Sequence, residues 1–298
     1  MNRLAGLLGD HRPVLLDGGM GTLLQDSGLE DGAPGELWNL ENQEAVRAAH
    51  TAYAEAGARV LTTNTFGGTR PRLDMHGLGD RLAEVNRSAA QVARSVADEH
   101  GLLVAGDLGP TGELLAPLGV LTGEEAQALF AEQLTALVDG GIDLVLVETL
   151  SDLAEADAAL AAAREVAPDL PVVVTLSFDT NLRSMMGVRP GDAVTHLAAA
   201  GADAVGANCG RGPEEMELIA AEMVAARPDG LLLVAQSNAG LPQVVGDHFE
   251  YDASAEDMAA HAGRLTDLGI DVVGGCCGST PVHIAAMAAL LGRAGARR

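Results

Sequence analysis

The chain of 298 residues holds three cysteines. Two are adjacent, Cys276 and Cys277, in VGGCCGSTP (273–281); the third, Cys209, lies in GANCG (206–210). Three thiols that met at one point would form a soft-ligand site suited to Zn2+. Taken one at a time, free cysteines are more often small buried hydrophobes. A disulfide between neighbours would be strained, and three cysteines cannot make a paired disulfide framework. Successive side chains of a strand face opposite ways. Cys276 and Cys277 can therefore converge only where the backbone leaves strand geometry, and Gly274, Gly275 and Gly278 make that departure cheap.

Position in the fold decides whether the thiols can meet. Short apolar runs alternate with alanine-rich amphipathic segments along the whole chain. The runs predict strands over 13–17, 59–63, 102–107, 142–148, 171–176, 203–208, 231–236 and 271–274. The segments predict helices over 42–56, 79–99, 123–139, 152–166, 191–200, 213–226, 254–268 and 281–293. Near-continuous apolar strands separated by helices indicate a parallel sheet covered on both faces. Eight such units in this length indicate an α/β fold, a single (β/α)8 TIM barrel spanning 1–298. A doubly wound open sheet is the alternative, but no GxGxxG follows the first strand. A recurring phrase, with Gly57, Gly141, Gly201 and Gly269, reads as a helix C-cap glycine entering the next strand. In a barrel the chemistry sits at the C-terminal ends of the strands. All three cysteines fall there, after the sixth and eighth strands.

Composition narrows the function. The net charge is −24, which argues against nucleic acid or an anionic membrane as partner. No stretch approaches the roughly 20 apolar residues of a membrane span, and the N-terminal MNRLAGLLGDHRP has no secretory pattern, so a cytoplasmic location is expected. The basic residues are 18 arginines and no lysine, which excludes Schiff-base chemistry through a lysine. None of the eight histidines has a ligand spacing to the cysteines. His283 is the nearest, beyond Pro281 in the following helix. Three protein ligands and one exchangeable position are therefore expected. Three thiolates on Zn2+ make a weak Lewis acid, poorly suited to activating water. Holding an incoming thiol as its thiolate fits better, because a free thiol has a pKa of about 8.5.

These residues resemble the homocysteine S-methyltransferase family, zinc-dependent (β/α)8 barrels, from about residue 12 to 293. The ordered motifs are LLDGGMGT (15–22), TNTF (63–66), GPTG (109–112), VET (147–149), GANCG (206–210), NAGLP (238–242) and GGCCGSTPVHI (274–284). From Asn238 to Met287 the chain is most similar to the homocysteine-binding module of cobalamin-dependent methionine synthases. The resemblance implies that Cys209, Cys276 and Cys277 bind Zn2+, with homocysteine sulfur in the fourth position. It also implies that Asp17 and Glu148 hold the substrate ammonium; both are acids at strand ends. The run Gly18, Gly19, Met20, Gly21 could offer backbone N–H groups to the substrate carboxylate or be a simple tight turn. Asn64 and Asn238 either orient substrate or cap loops, and Asn208 could donate to a metal-bound sulfur. The implied activity is methyl transfer to homocysteine to give methionine.

The methyl donor is left open by the residues: a methylated corrinoid on a separate protein, S-methylmethionine, S-adenosylmethionine or glycine betaine. No folate, cobalamin or reactivation module is present in the sequence, so a small-molecule donor or a separate corrinoid protein is expected. Trp38, in GELWNL, is a candidate contact for a sulfonium or quaternary ammonium donor; packing is its other reading, as loop packing is for Met185 and Met186. Two alternatives remain: a component that demethylates another donor or alkylates another thiol, and a non-catalytic zinc-binding barrel, which would need a fourth protein ligand.

Overall fold

The computed structural model describes residues 2–9, 13–30, 32–241, 243–245 and 248–295. Pro242 of the NAGLP motif, residues 10–12 of the N-terminal stretch and the last residues, 296–298, lie outside the described residues. The strands are β1 (Val14–Leu15), β2 (Val60–Thr62), β3 (Leu103–Leu108), β4 (Leu144–Leu150), β5 (Val172–Leu176), β6 (Ala204–Cys209), β7 (Leu232–Ser237), β8 (Gln243–Val245), β9 (His248–Glu250) and β10 (Val272–Gly275). Eight of them pair in parallel in the order β1-β10-β7-β6-β5-β4-β3-β2. A parallel bridge between Leu16 and Val60 joins the two ends and closes the barrel. The expected α/β barrel is therefore the observed one. The major helices lie within a few residues of the expected spans, from Gln43–Glu55 to Pro281–Gly295. Three elements were not anticipated: the β8–β9 hairpin, a helix Arg3–Leu8, and short helices in the loops after β1 and β2.

Strand alternation sets three layers. Leu144 and Leu146 of β4 face the barrel interior, whereas Val145 and Val147 face the helices. The same rule sends Leu232 and Val234 of β7 inward and Leu233 and Ala235 outward. The lower interior is wholly apolar and is plugged by Leu4 and Leu8 of the Arg3–Leu8 helix. Further inward steps along the strands reach the upper layer, where the inward residues turn polar: Asp107, Glu148, Asn208 and Gln236.

The lower rim is built by the repeated phrase. Gly57, Gly141, Gly201 and Gly269 all adopt positive φ, between 94° and 113°, as helix C-caps require. The aspartate two residues further on accepts a strand N–H in three of the four joints. Asp143 takes Val104 N–H (2.8 Å), Asp203 takes Val172 N–H (3.0 Å) and Asp271 takes Leu233 N–H (3.0 Å). Each also pairs with an arginine: Arg94, Arg164 and Arg227 respectively.

Candidate metal and substrate site

β10 ends at Gly275, and the two cysteines lie beyond it in a turn closed by Ser279 N–H donating to Cys276 O (3.0 Å). That turn lets neighbouring thiols share a side. Among the three flanking glycines only Gly278 has positive φ, +76°. The expectation that Gly274 and Gly275 supply conformational freedom is thus corrected: they continue the strand, and a Cβ there would lie 2.9 Å from Leu16 Cβ or 2.4 Å from Ser279 Cβ. They are small because the chain is crowded.

The three Sγ atoms of Cys209, Cys276 and Cys277 lie within 4.8 Å of one another. Cys209 sits in the left-handed region at φ 62°, a costly conformation for a residue with a Cβ, which aims its thiol across β7 toward the turn. Hydrogen bonds from the other two thiols pull the Cys209 pKa down, while the Cys276 and Cys277 pKa values are raised, first by those same bonds and then by burial. A tetrahedral zinc with bonds of about 2.3 Å places its sulfurs about 3.8 Å apart, inside the observed limit. The donor set therefore fits Zn2+.

The thiols floor a cavity of about 330 Å3 at the C-terminal mouth, within the usual range for small-ligand sites. Four acids line it: Asp17, Glu36, Asp107 and Glu148. No arginine is among the described residues lining it. Asp17 is bound by Thr62 through the backbone N–H (2.7 Å) and Oγ1 (2.8 Å); even so, burial pushes its carboxyl up to about 7. Glu148 is raised by burial, then by the nearby charges of Cys209 and Asp17. Asp107 is raised well above the carboxylate range by burial and by Glu148 and Glu36, and its Oδ1 is buried without a hydrogen-bond partner. Such a cavity is poised for a cationic group.

Asn208 ties these parts together. Its Oδ1 accepts from Thr149 N–H (2.9 Å) and Thr175 Oγ1 (2.8 Å). Its Nδ2 donates to Thr149 Oγ1 (2.6 Å) and Glu148 Oε2 (3.4 Å), and lies 4.0 Å from Cys276 Sγ. Thr149 is held at φ 61°, unusual for a β-branched residue, directly after Glu148.

The remaining sequence candidates divide. Gly18, Gly19 and Met20 line the cavity, but Gly19 N–H is already donated to Ser279 O (3.1 Å). A Cβ on Gly19 would stand 2.7 Å from Cys276 O, so this glycine admits the cysteine turn. Asn64 also lines the cavity, with its amide nitrogen spent on Gly35 O (2.8 Å) and Asn39 Oδ1 (3.1 Å). Asn238 lies beside the cysteines: Nδ2 donates to Gly210 O (2.8 Å) and Oδ1 is buried without a partner. His283 accepts from Thr280 N–H (3.1 Å) and meets Ala253 O through Nε2, away from metal duty. The described lining includes neither Trp38, which packs beside Leu24 and Val46, nor Met185 or Met186.

Sequence reasoning missed three residues. Asp107 carries the same sequence signal as Glu148, an acid at a strand end. Glu36, two positions before Trp38, accepts Gly67 N–H (2.5 Å) and carries no strand-end signal. Tyr251 follows the unanticipated hairpin; its ring covers Gly278, where a Cβ would stand 2.1 Å from it. The Tyr251 phenol pKa is raised by burial and by Cys277, to which it is hydrogen-bonded.

Fold and site together define a (β/α)8 barrel with a three-thiol cluster, whose donor set suits a soft metal, under an acid-lined mouth. A sequence profile of the homocysteine S-methyltransferase family matches residues 14–291. The chain is 33% identical over 299 residues to the methionine synthase of Mycobacterium leprae (strain TN), covering 95% of this chain and 24% of that protein. It is 34% identical to the methionine synthase of Mycobacterium tuberculosis, covering 94% and 24%. The chain thus spans about a quarter of the length of these curated relatives. The metallated form of the homocysteine methyltransferase MmuM from Escherichia coli superposes with a TM-score of 0.80 at 26% identity, covering 97% of this chain and 99% of that one. The chain belongs to the homocysteine S-methyltransferase family. Among the described residues no helix is long and apolar enough to cross a membrane.

Proposed function

We propose that this chain transfers a methyl group to the sulfur of homocysteine, giving methionine, with Zn2+ held by Cys209, Cys276 and Cys277. The observation that carries the reading is the meeting of three thiols from two separate βα units at the floor of a cavity with four acids. Bound there, Zn2+ supplies a Lewis-acid position that lowers the pKa of an incoming thiol. The chain's own residues do the rest. Asp17 and Glu148 take the ammonium of the amino acid, which returns each carboxyl to its ionised form by pairing it with a cation. Asn208 fixes Glu148 and Thr149 relative to the thiols. Thr62 holds the Asp17 carboxylate toward the cavity. Gly19 and Tyr53 clamp the cysteine turn from the other side, Tyr53 donating to Ser279 O (2.9 Å). The substrate sulfur then forms a bond to the methyl carbon as the donor's bond to that carbon breaks. The donor enters from the open mouth, as a methylated corrinoid held by another protein module or as a small sulfonium or quaternary ammonium compound.

The test is a zinc-loaded sample offered homocysteine with methylcobalamin, S-methylmethionine, S-adenosylmethionine or betaine, and methionine scored by mass. X-ray absorption at the zinc edge follows the first shell. Methionine from at least one donor is expected, with the sulfur count rising from three to four when homocysteine is added. A count already at four protein ligands would make the barrel a non-catalytic zinc protein. Methylation of a different thiol with homocysteine inert would overturn the substrate.

A further inference from the structure

Behind the cysteines lies a chain of polar side chains, buried at its Ser237–His261 end, that is not part of the cavity lining or of the thiol cluster. Ser237 ends β7, the strand between those that deliver the cysteines. It is in register with Cys209 on one side and Gly275 on the other, and its carbonyl accepts Cys276 N–H at 2.8 Å. By strand alternation its side chain points outward, to the helix layer, and it is fully buried. There Ser237 Oγ meets His261 Nε2 at 2.6 Å. His261, 1% exposed on the helix Ala255–Leu268, meets Glu217 Oε1 through Nδ1 at 2.8 Å. Glu217 belongs to the helix Pro213–Ala225, which leaves β6 just after Cys209. Arg264 Nε donates to the same carboxylate oxygen at 2.8 Å.

The proton arrangement follows from the partners. Hydrogen bonds from His261 and Arg264 hold Glu217 below the usual carboxylate range against the effect of burial, so it only accepts. Nδ1 of His261 therefore carries the proton, and Nε2 accepts the Ser237 hydroxyl. Burial lowers the His261 pKa more than Glu217 raises it, so the ring is neutral. Serine, histidine and carboxylate in this order resemble a hydrolytic triad, but the hydroxyl is sealed beneath a helix and no substrate can reach it.

We propose that His261 is a positioning residue for the metal centre: by fixing Ser237, it sets the spacing between Cys209 and the Cys276–Cys277 turn. The network links all three units involved, with Glu217 behind β6, His261 behind β7 and the Ser237 carbonyl on the turn after β10. Without it, the end of β7 keeps its strand bonds but loses its anchor to the helices. The thiol spacing then widens or becomes variable, and a tetrahedral ion loses its fit. This inference rests on the metal reading given above.

The experiment uses the full chain and two readouts other than turnover. These are zinc affinity by competition with a chromogenic chelator and the visible absorption of the Co2+-substituted site. His261→Asn keeps a donor toward Glu217 but cannot reach Ser237. His261→Gln reaches Ser237 and gives up the Glu217 bond. His261→Asn and Ser237→Ala are expected to weaken zinc binding about 10-fold, the lower end for residues supporting metal ligands, with broadened Co2+ bands. His261→Gln is expected to stay within about 3-fold of the parent. The double variant S237A/H261N should be no weaker than either single one, because both cut the same link. Parent-like affinity in Ser237→Ala and His261→Asn, equal losses in the Gln and Asn variants, or additive losses in the double variant would each overturn the proposal. Should His261→Asn fail to fold, Ser237→Ala decides alone. If the parent chain itself retains no zinc, it is the metal reading that fails, and the two failures are distinguishable.

Discussion

The two ends of this barrel treat carboxylates in opposite ways. At the lower rim Asp143, Asp203 and Asp271 each accept a strand N–H and pair with an arginine. Burial alone would raise the Asp203 pKa, yet bonds from Val172 N–H, Arg3 and Arg164 hold it below the usual range. At the mouth Asp17, Asp107 and Glu148 are all raised, burial being the largest cause, and no arginine is among the described residues lining the cavity. Acids at the rim close αβ joints and stabilise the fold. Acids at the mouth are held short of a counter-ion, and that shortage is what a cationic ligand relieves. The acids that stabilise the fold and those proposed to bind substrate therefore occupy opposite ends of the same strands.

The largest break in this comparison comes from the thiols. Cys276→Ala is expected to lower zinc affinity by more than about 100-fold and to remove methionine formation with it. Its melting temperature without metal should stay close to that of the parent, since Cys276 belongs to the mouth and to neither apolar layer. Zinc analysis after gel filtration, together with calorimetry, checks both halves; full activity in this variant would sink the assignment.

Next comes Asp17→Asn. The carboxyl has a folded pKa of about 7 against about 3.9 unfolded, and one unit is about 1.4 kcal/mol. The sign follows: a raised carboxylate pKa means that ionisation costs stability, from nothing below about pH 4 to its full extent above pH 7. The amide can still accept from Thr62 N–H and donate to Thr62 Oγ1. Asp17→Asn should therefore stabilise the ligand-free chain by up to about 4 kcal/mol at pH 8, gain nothing at pH 4, and raise the KM for homocysteine at least 10-fold. Urea unfolding at the two pH values, beside initial rates, would expose a failure of either half.

Asp203→Ala is the converse at the rim. It strands Val172 N–H, Arg3 and Arg164, and a loss of about 2–3 kcal/mol is expected, with turnover per folded molecule unchanged. Because the Asp203 pKa is depressed, its contribution is present above the unfolded pKa and disappears as pH falls through the folded one. The stability gap between parent and variant should thus narrow below about pH 4, opposite in sense to Asp17→Asn, leaving only what the neutral carboxyl still contributes by accepting Val172 N–H.

Most of this division was legible in the sequence. Apolar runs with helical spacers located the strands, and the recurring C-cap glycines marked the joints. Three cysteines after two expected strand ends were enough to bring three thiols together at the mouth. What periodicity could not show were parts that obey no period. The β8–β9 hairpin and Tyr251 sit in a loop. Asp107 and Glu148 look alike in sequence, and only the missing partner on Asp107 Oδ1 separates it from an ordinary cap. The Ser237–His261–Glu217 chain joins residues 24 and 44 positions apart, invisible until strand alternation is known to turn Ser237 outward. The Arg3–Leu8 helix has no sequence signature because a six-residue segment is too short to show a helical period; burial of Leu4 and Leu8 inside the barrel makes it helical instead.

That helix supplies the smallest expected effect. Asn2 caps it by accepting Ala5 N–H (3.0 Å), and its amide donates to Asp203 O (2.6 Å) and Gly230 O (3.2 Å). The cap thus bolts the plug to the joints leading into β6 and β7, the strands that carry Cys209 and Ser237. Asn2→Ala should cost about 1 kcal/mol, the usual value of an N-cap, because the two leucines continue to anchor the plug. The apolar lower interior stands between this cap and the mouth, and packed apolar side chains offer no charge or hydrogen bond through which the loss could reach the thiols. Zinc affinity and KM should therefore match the parent within a factor of about 2 while the melting temperature falls by a few degrees. A shift in zinc affinity as large as that of Ser237→Ala would mean that the plug sets the register of β6 and β7 all the way to their upper ends, and the separation between the two halves of the barrel would no longer hold.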